Sequence, residues 1–204
     1  MTLADAITAF TALFVVIDPI GLAPIFVALT AGMSARARRA IAVRACAVAA
    51  ALLILFAIAG EAVLGFLGIS MPAFRIAGGL LLFLTALEML FEKRTQRREE
   101  RADVPPPDPS VFPLALPLIA GPGAIATMIL LTDEASPLGT VQAVGVMLAV
   151  VAVVLGFFLL AAPIEKLLGP TGINVITRVL GMLLAALSVQ FVLDGLSDLT
   201  WPGG

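Results

Sequence analysis

The sequence predicts an all-α membrane protein of six transmembrane helices, made of two inverted three-helix repeats with helices 1 and 4 broken at mid-membrane. Composition, six long apolar runs and an internal match at an offset of 103 residues carry this prediction. Of 204 residues, 61% are hydrophobic and the mean hydropathy is +1.12, whereas about half apolar is usual in soluble domains. Runs at 3–29, 41–67, 71–91, 111–132, 141–162 and 176–199 are each long enough to cross a hydrocarbon core of about 30 Å.

The first run, 3–29, lacks the basic start and small-residue cleavage site of a signal peptide and is expected to stay in the mature protein. It contains VVIDPIGLAPIF, residues 15–26. Asp18 there must be desolvated, and Pro19 and Pro24 remove backbone donors that lipid cannot replace. An acid before a proline is a helix N-cap followed by the residue best suited to the first helical position. A second half-helix is therefore expected to begin near Pro19.

The second and third runs follow across a basic loop holding Arg36, Arg38, Arg39 and Arg44. The linker 92–110, EKRTQRREERADVPPPDPS, is charged and then proline-rich, which reads as an exposed tether of low order. The fourth run holds PLIAGPGAIATM (117–128), where Gly121 takes the cap position and Pro122 the first turn. The fifth and sixth runs close the chain, with Trp201 as an interfacial anchor.

Sliding the chain by 103 residues sets Pro19 on Pro122 and Arg75 on Arg178. RIAGGLLLFLTALE (75–88) and RVLGMLLAALSVQF (178–191) then also agree at Gly78/Gly181, Leu80/Leu183, Leu81/Leu184 and Leu84/Leu187. The units are 1–91 and 111–204, joined by the linker. Three crossings per unit is an odd number, so the second copy must enter the membrane upside down.

The charges agree. The loop after run 1 carries four Arg, while its counterpart carries Asp133 and Glu134; the loop after run 2 carries no base, while its counterpart carries Lys166. The positive-inside rule makes the basic loops cytoplasmic and predicts that the N- and C-termini face out. Re-entrant loops at runs 1 and 4 stay open as an alternative, although run 1 as a helix would be about 40 Å long.

Inverted repeats with broken helices at matched positions point to a secondary transporter with a midplane site. Each break would aim free N–H groups and a positive dipole end inward, a seat for an anion. The breaks differ chemically, since Asp18 faces Gly121 in the alignment. A zwitterion would suit that difference, its carboxylate at the glycine-flanked end and its ammonium on Asp18. Asp18 as a proton or sodium site is equally open, as is a plain cap of a structural kink. Arg75, Glu61 and Asp194 are expected at the outer level, and Arg178, Glu165 and Glu88 at the inner one, as alternating gates or as static pairs. Thr85, Thr127, Ser188 and Gln190 either line a pathway or bond their own helix.

Other classes are disfavoured. The chain has no His and one cysteine, Cys46, which reads as a packing residue. No metal site, cofactor, P-loop or nucleophile beside a base is evident, so an enzyme is not expected. Nucleic acid is not an expected partner; the lipid bilayer is, and a homo-oligomer stays open.

DPIGLAPIF (18–26), FRIAGGLLLF (74–83), PLIAGPGAIATMILL (117–131) and RVLGMLLAALSVQFVLDG (178–195) together resemble the MarC family of bacterial inner-membrane proteins. The resemblance implies six transmembrane segments in a bacterial inner membrane, which would make the outward-facing termini periplasmic, and transport of small neutral amino acids such as glycine and alanine. It marks Asp18, Pro19, Gly21 and Pro24 in the first motif and Gly121, Pro122 and Gly123 in the second. The competing expectation is a non-transporting intramembrane structural or assembly protein.

Overall fold

Caps, prolines and glycines divide the chain into helices. The computed structural model describes residues 2–91, 108–132 and 137–199. Residues 92–107 of the linker, Asp133, Glu134 and Trp201 lie outside the described residues, as do the side chains of Glu165 and Lys166. Among the described residues the elements are α1 (Leu3–Ile17), α2 (Pro19–Leu29), α3 (Ala35–Phe66), α4 (Met71–Leu90), α5 (Ser110–Ile119), α6 (Pro122–Thr132), α7 (Pro137–Leu159) and α8 (Ala161–Ser197).

α1 begins with a reciprocal cap. The Thr2 N–H donates to Asp5 Oδ2 at 2.7 Å and the Asp5 N–H to Thr2 Oγ1 at 3.2 Å, satisfying two donors at the helix start. α3 begins at Ser34, whose Oγ accepts from the Ala37 N–H at 3.3 Å. Its 32 residues span about 48 Å, more than a bilayer core needs. The arginine-bearing first turns can therefore stand beyond the hydrocarbon, and there Arg44 pairs with Asp108 ahead of α5. Farther along α3, Ala42, Ala45, Ala49, Ala57 and Gly60 are buried with Leu53 in one stripe at helical spacing, and the alanines and glycine are small enough for close approach to α5, α6 and α7.

α5 departs from the sequence reading. The sequence predicts one break, at Gly121, where α6 does open, but the backbone is also extended upstream at Phe112 (φ −127°, ψ 125°) and Leu116 (φ −122°, ψ 128°). Each precedes a proline, Pro113 or Pro117, and the proline ring excludes the residue before it from the helical region. α5 is accordingly kinked within its ten residues, and α6 is bent by 56° from it. Gly169 in α8 is a further interruption (φ 62°, ψ 172°) just before Pro170.

By length and composition five helical stretches can cross a membrane: Leu3–Leu29, Ala35–Phe66, Met71–Leu90, Gly139–Leu159 and Leu167–Ser197. The bent pair Ser110–Ile119 and Pro122–Thr132 makes six if it is one span. Large apolar side chains such as Ile58, Phe66, Leu84, Val179 and Met182 face outward, an arrangement that lipid tolerates and water does not. Every element also contributes to one apolar core, which includes Leu13, Phe26, Leu53, Leu82, Leu114, Met128, Val154 and Leu184.

The packing crosses between halves. α1 and α2 lie on α7 and α8, while α5 lies on α3, and α6 on α3 and α4. α4 and α8 form the most extensive pair. They run antiparallel: a Cβ at Gly79 would lie 2.8 Å from the Ser188 carbonyl oxygen, one at Gly181 3.3 Å from that of Ala86, and one at Gly195 3.0 Å from that of Pro72.

Candidate functional site

Asp18 sits between α1 and α2, fully buried, in the left-handed conformation (φ 58°, ψ 66°). Among the described residues it is the one non-glycine at positive φ. Local chemistry explains why the helix is interrupted here. The ring of Pro19 disfavours the helical region for Asp18, and Asp is among the few side chains that tolerate the left-handed one. The Asp18 N–H closes α1 by donating to the Phe14 carbonyl (2.9 Å), and its own carbonyl opens α2 by accepting from the Leu22 N–H (3.0 Å). Its Oδ1 accepts from the Gly21 N–H at 3.0 Å. Pro19, buried, occupies the first position of α2, where a missing N–H costs nothing. Pro24 removes the donor that would bond the Ile20 carbonyl farther along α2.

At the second break the Ala120 N–H reaches back to the Ala115 carbonyl at 2.9 Å, and the Gly121 carbonyl accepts from the Ile125 N–H at 3.0 Å, opening α6. A Cβ on Gly121 would stand 2.5 Å from the Pro117 carbonyl oxygen, so no side chain fits there without moving backbone. Pro122 follows and is exposed.

The two breaks approach each other. A Cβ on Gly123 would be 3.1 Å from Val16 Cγ1 and 3.1 Å from Leu82 Cδ2, so the start of α6, the end of α1 and the middle of α4 meet at this glycine. Val16 is two residues before Asp18. Thr127, one turn beyond Gly123 and fully buried, donates its hydroxyl to the Gly123 carbonyl at 2.8 Å. The structure thus gathers the buried Asp18 stretch, the half-buried Gly123 and the buried Thr127 around one junction.

The other singled-out polar residues lie elsewhere. Arg75 forms an ion pair with Asp198, a residue that the sequence reading did not select and that lies one turn beyond Asp194. Asp194 Oδ1 instead accepts from Gln190 Nε2 at 2.6 Å, and Glu61 and Arg178 are exposed while Glu88 is half-buried. Thr85 donates to the Leu81 carbonyl (2.9 Å) and Ser188 to the Ala185 carbonyl (2.7 Å), each within its own helix. What the sequence reading missed had visible signals: the X-Pro steps at Pro113 and Pro117, the Gly169-Pro170 pair, and a carboxylate in the last turn, Asp198.

Comparison with known proteins gives the chain its place. Residues 3–200 match the MarC family integral membrane protein description. A UPF0056 membrane protein of Archaeoglobus fulgidus is 39% identical over 196 residues, covering 93% of this chain and 91% of its own. UPF0056 membrane protein YvbG of Bacillus subtilis is 36% identical, covering 98% and 97%. YhcE of Escherichia coli is 35% identical, covering 95% and 92%. These names state a membrane location and no substrate, and no solved structure matches. With the family description and its relatives both spanning nearly the whole chain, this protein belongs to the MarC family of integral membrane proteins.

Proposed function

We propose that the chain is a secondary transporter for small neutral amino acids of the glycine and alanine type, or for similar small polar solutes, driven by a proton or sodium gradient. The carrying observation is a fully buried carboxylate, Asp18, at the interruption of an apolar span and next to a second interruption. An acid at that depth is costly, and in a membrane protein such residues mark ion or substrate paths. Gly123, close against Val16 and Leu82, lets the start of α6 approach the Asp18 stretch. The ammonium, or the coupling ion, is assigned to Asp18, and the substrate carboxylate to the N-terminal end of α6.

The packing supports an inverted repeat as the frame for this site. An offset of 103 residues carries the Gly79–Ser188 contact onto Met182 and Thr85, beside the Gly181–Ala86 contact. The same operation turns α1 on α7 into α5 on α3, α2 on α7 into α6 on α3, and α2 on α8 into α6 on α4. Antiparallel helices that share one offset are related by a two-fold axis across them, the symmetry of alternating access between two inverted units.

One observation favours a purely structural role: Oδ1 of Asp18 already caps α2. Asparagine accepts the left-handed conformation and the capping bond equally well, so Asp18→Asn separates the readings. Purified protein in liposomes should take up labelled alanine or glycine under an imposed pH or sodium gradient. The Asn variant should fold and lose at least ~90% of that flux, about 1.4 kcal/mol or more. Uptake equal to that of empty vesicles by the wild type, or undiminished flux in the variant, sinks the proposal.

A further inference from the structure

A cavity of about 210 Å³ opens away from the buried junction, where α2 ends, α3 begins and α7 turns into α8. Phe26, Met33, Phe158 and Leu159 form its apolar wall, and Arg38 and Arg39 its polar one. Phe26 and Phe158 are buried and stacked, with centroids 4.5 Å apart and planes 8° from parallel. The Arg38 guanidinium lies over the Phe26 ring at 5.8 Å, a contact that holds its plane in place.

Neither arginine takes part in the ion pairs of Arg44 with Asp108 and of Arg75 with Asp198. Arg38 is half-buried and Arg39 exposed, and two cations lining one cavity favour an anion there over each other. Their planar donor forks fit the oxygens of a phosphate. The positions 103 residues later hold Val141 and Gln142, so one end of the molecule alone carries this charge.

We propose that the Arg38–Arg39 cavity is a phosphate-oxyanion site occupied by the headgroup of an anionic phospholipid. A lipid fits better than a free oxyanion because Leu159, in the cavity wall, is itself outward-facing, as are Leu160 next to it in the chain and Val43 one helical turn beyond Arg39, so that acyl chains have apolar surface to lie against. Basic pockets between membrane helices recognise anionic headgroups by this combination. The site is independent of the transport reading and stands or falls without it.

The test uses the purified full chain in detergent, titrated with phosphatidylglycerol, phosphatidylcholine or sodium phosphate, with lipid retention read by native mass spectrometry and stability by melting temperature. Phosphatidylglycerol should be retained and should raise the melting temperature by about 5 °C when well above its dissociation constant. R38Q/R39Q should lose retention tenfold or more, while R36Q, which removes an exposed arginine outside the cavity, should keep it. Should the double variant fail to fold, the exposed Arg39→Gln alone should weaken retention several-fold. Equal retention of both lipids, or equal loss in R36Q and R38Q/R39Q, overturns the site. Protection by sodium phosphate as strong as that by phosphatidylglycerol overturns the lipid assignment.

Discussion

Asp18 performs two tasks that asparagine would perform as well, tolerating positive φ and capping the Gly21 N–H, and the proposed transport adds a third that asparagine would not perform, supplying a carboxylate. Stability and transport should therefore separate at this residue. Thermal or denaturant unfolding of Asp18→Asn should match the wild type within about 0.5 kcal/mol. Asp18→Ala should lose about 2 kcal/mol, from the missing cap and the Cβ strain of the left-handed region together. A comparable loss in the Asn variant would mean that the charge itself stabilises the fold. At the second break, Gly121→Ala places a methyl group against the Pro117 carbonyl oxygen. It should cost about 1–3 kcal/mol by overpacking and diminish uptake in the same liposome assay. Asp18-Pro19 and Gly121-Pro122 were legible as breaks because proline and its neighbour act through local sterics. That Thr85, Thr127 and Ser188 turn back onto their own helices was not, since a hydroxyl chooses among acceptors by geometry that sequence spacing leaves open.

Between elements, the decisive contact is the antiparallel crossing of α4 and α8, where glycines let the two backbones approach. Gly79→Ala and Gly181→Ala should each destabilise by about 1–3 kcal/mol, because a Cβ at either position meets atoms within 3.0 Å, a backbone carbonyl in the first case. Gly156→Ala in α7, where nothing lies within 4 Å, should instead gain up to about 1 kcal/mol from helix propensity. Melting curves of the three variants in one detergent check the contrast, and an equal response from all three would remove the close-approach argument. The bounds of most spans were legible, Leu3–Leu29 and Met71–Leu90 nearly to the residue, because apolar length answers directly to bilayer thickness. The kinks inside α5 are not legible in hydropathy, because Pro113 and Pro117 fall within one continuous apolar run.

For the whole molecule, the crossing of α1 and α2 onto α7 and α8, and of α5 and α6 onto α3 and α4, means that each half of the chain buries its broken span in the other. Residues 1–91 or 108–204 expressed alone should fail to accumulate as folded protein, whereas the two halves co-expressed should associate and recover most of the wild-type uptake. Co-purification of the tagged halves and flux in liposomes check this, and a stable, monomeric single half would contradict it. The sequence by itself determined the membrane class, the number of apolar runs, the two proline breaks and the offset of 103 residues, because each follows from hydropathy or from sterics confined to a few neighbouring residues. Only the tertiary structure decided that the breaks meet at Gly123, that Arg75 pairs with Asp198, and that Arg38 and Arg39 line an aromatic cavity. Those are contacts between residues far apart in the chain, selected by the packing of whole helices, and no local pattern encodes them.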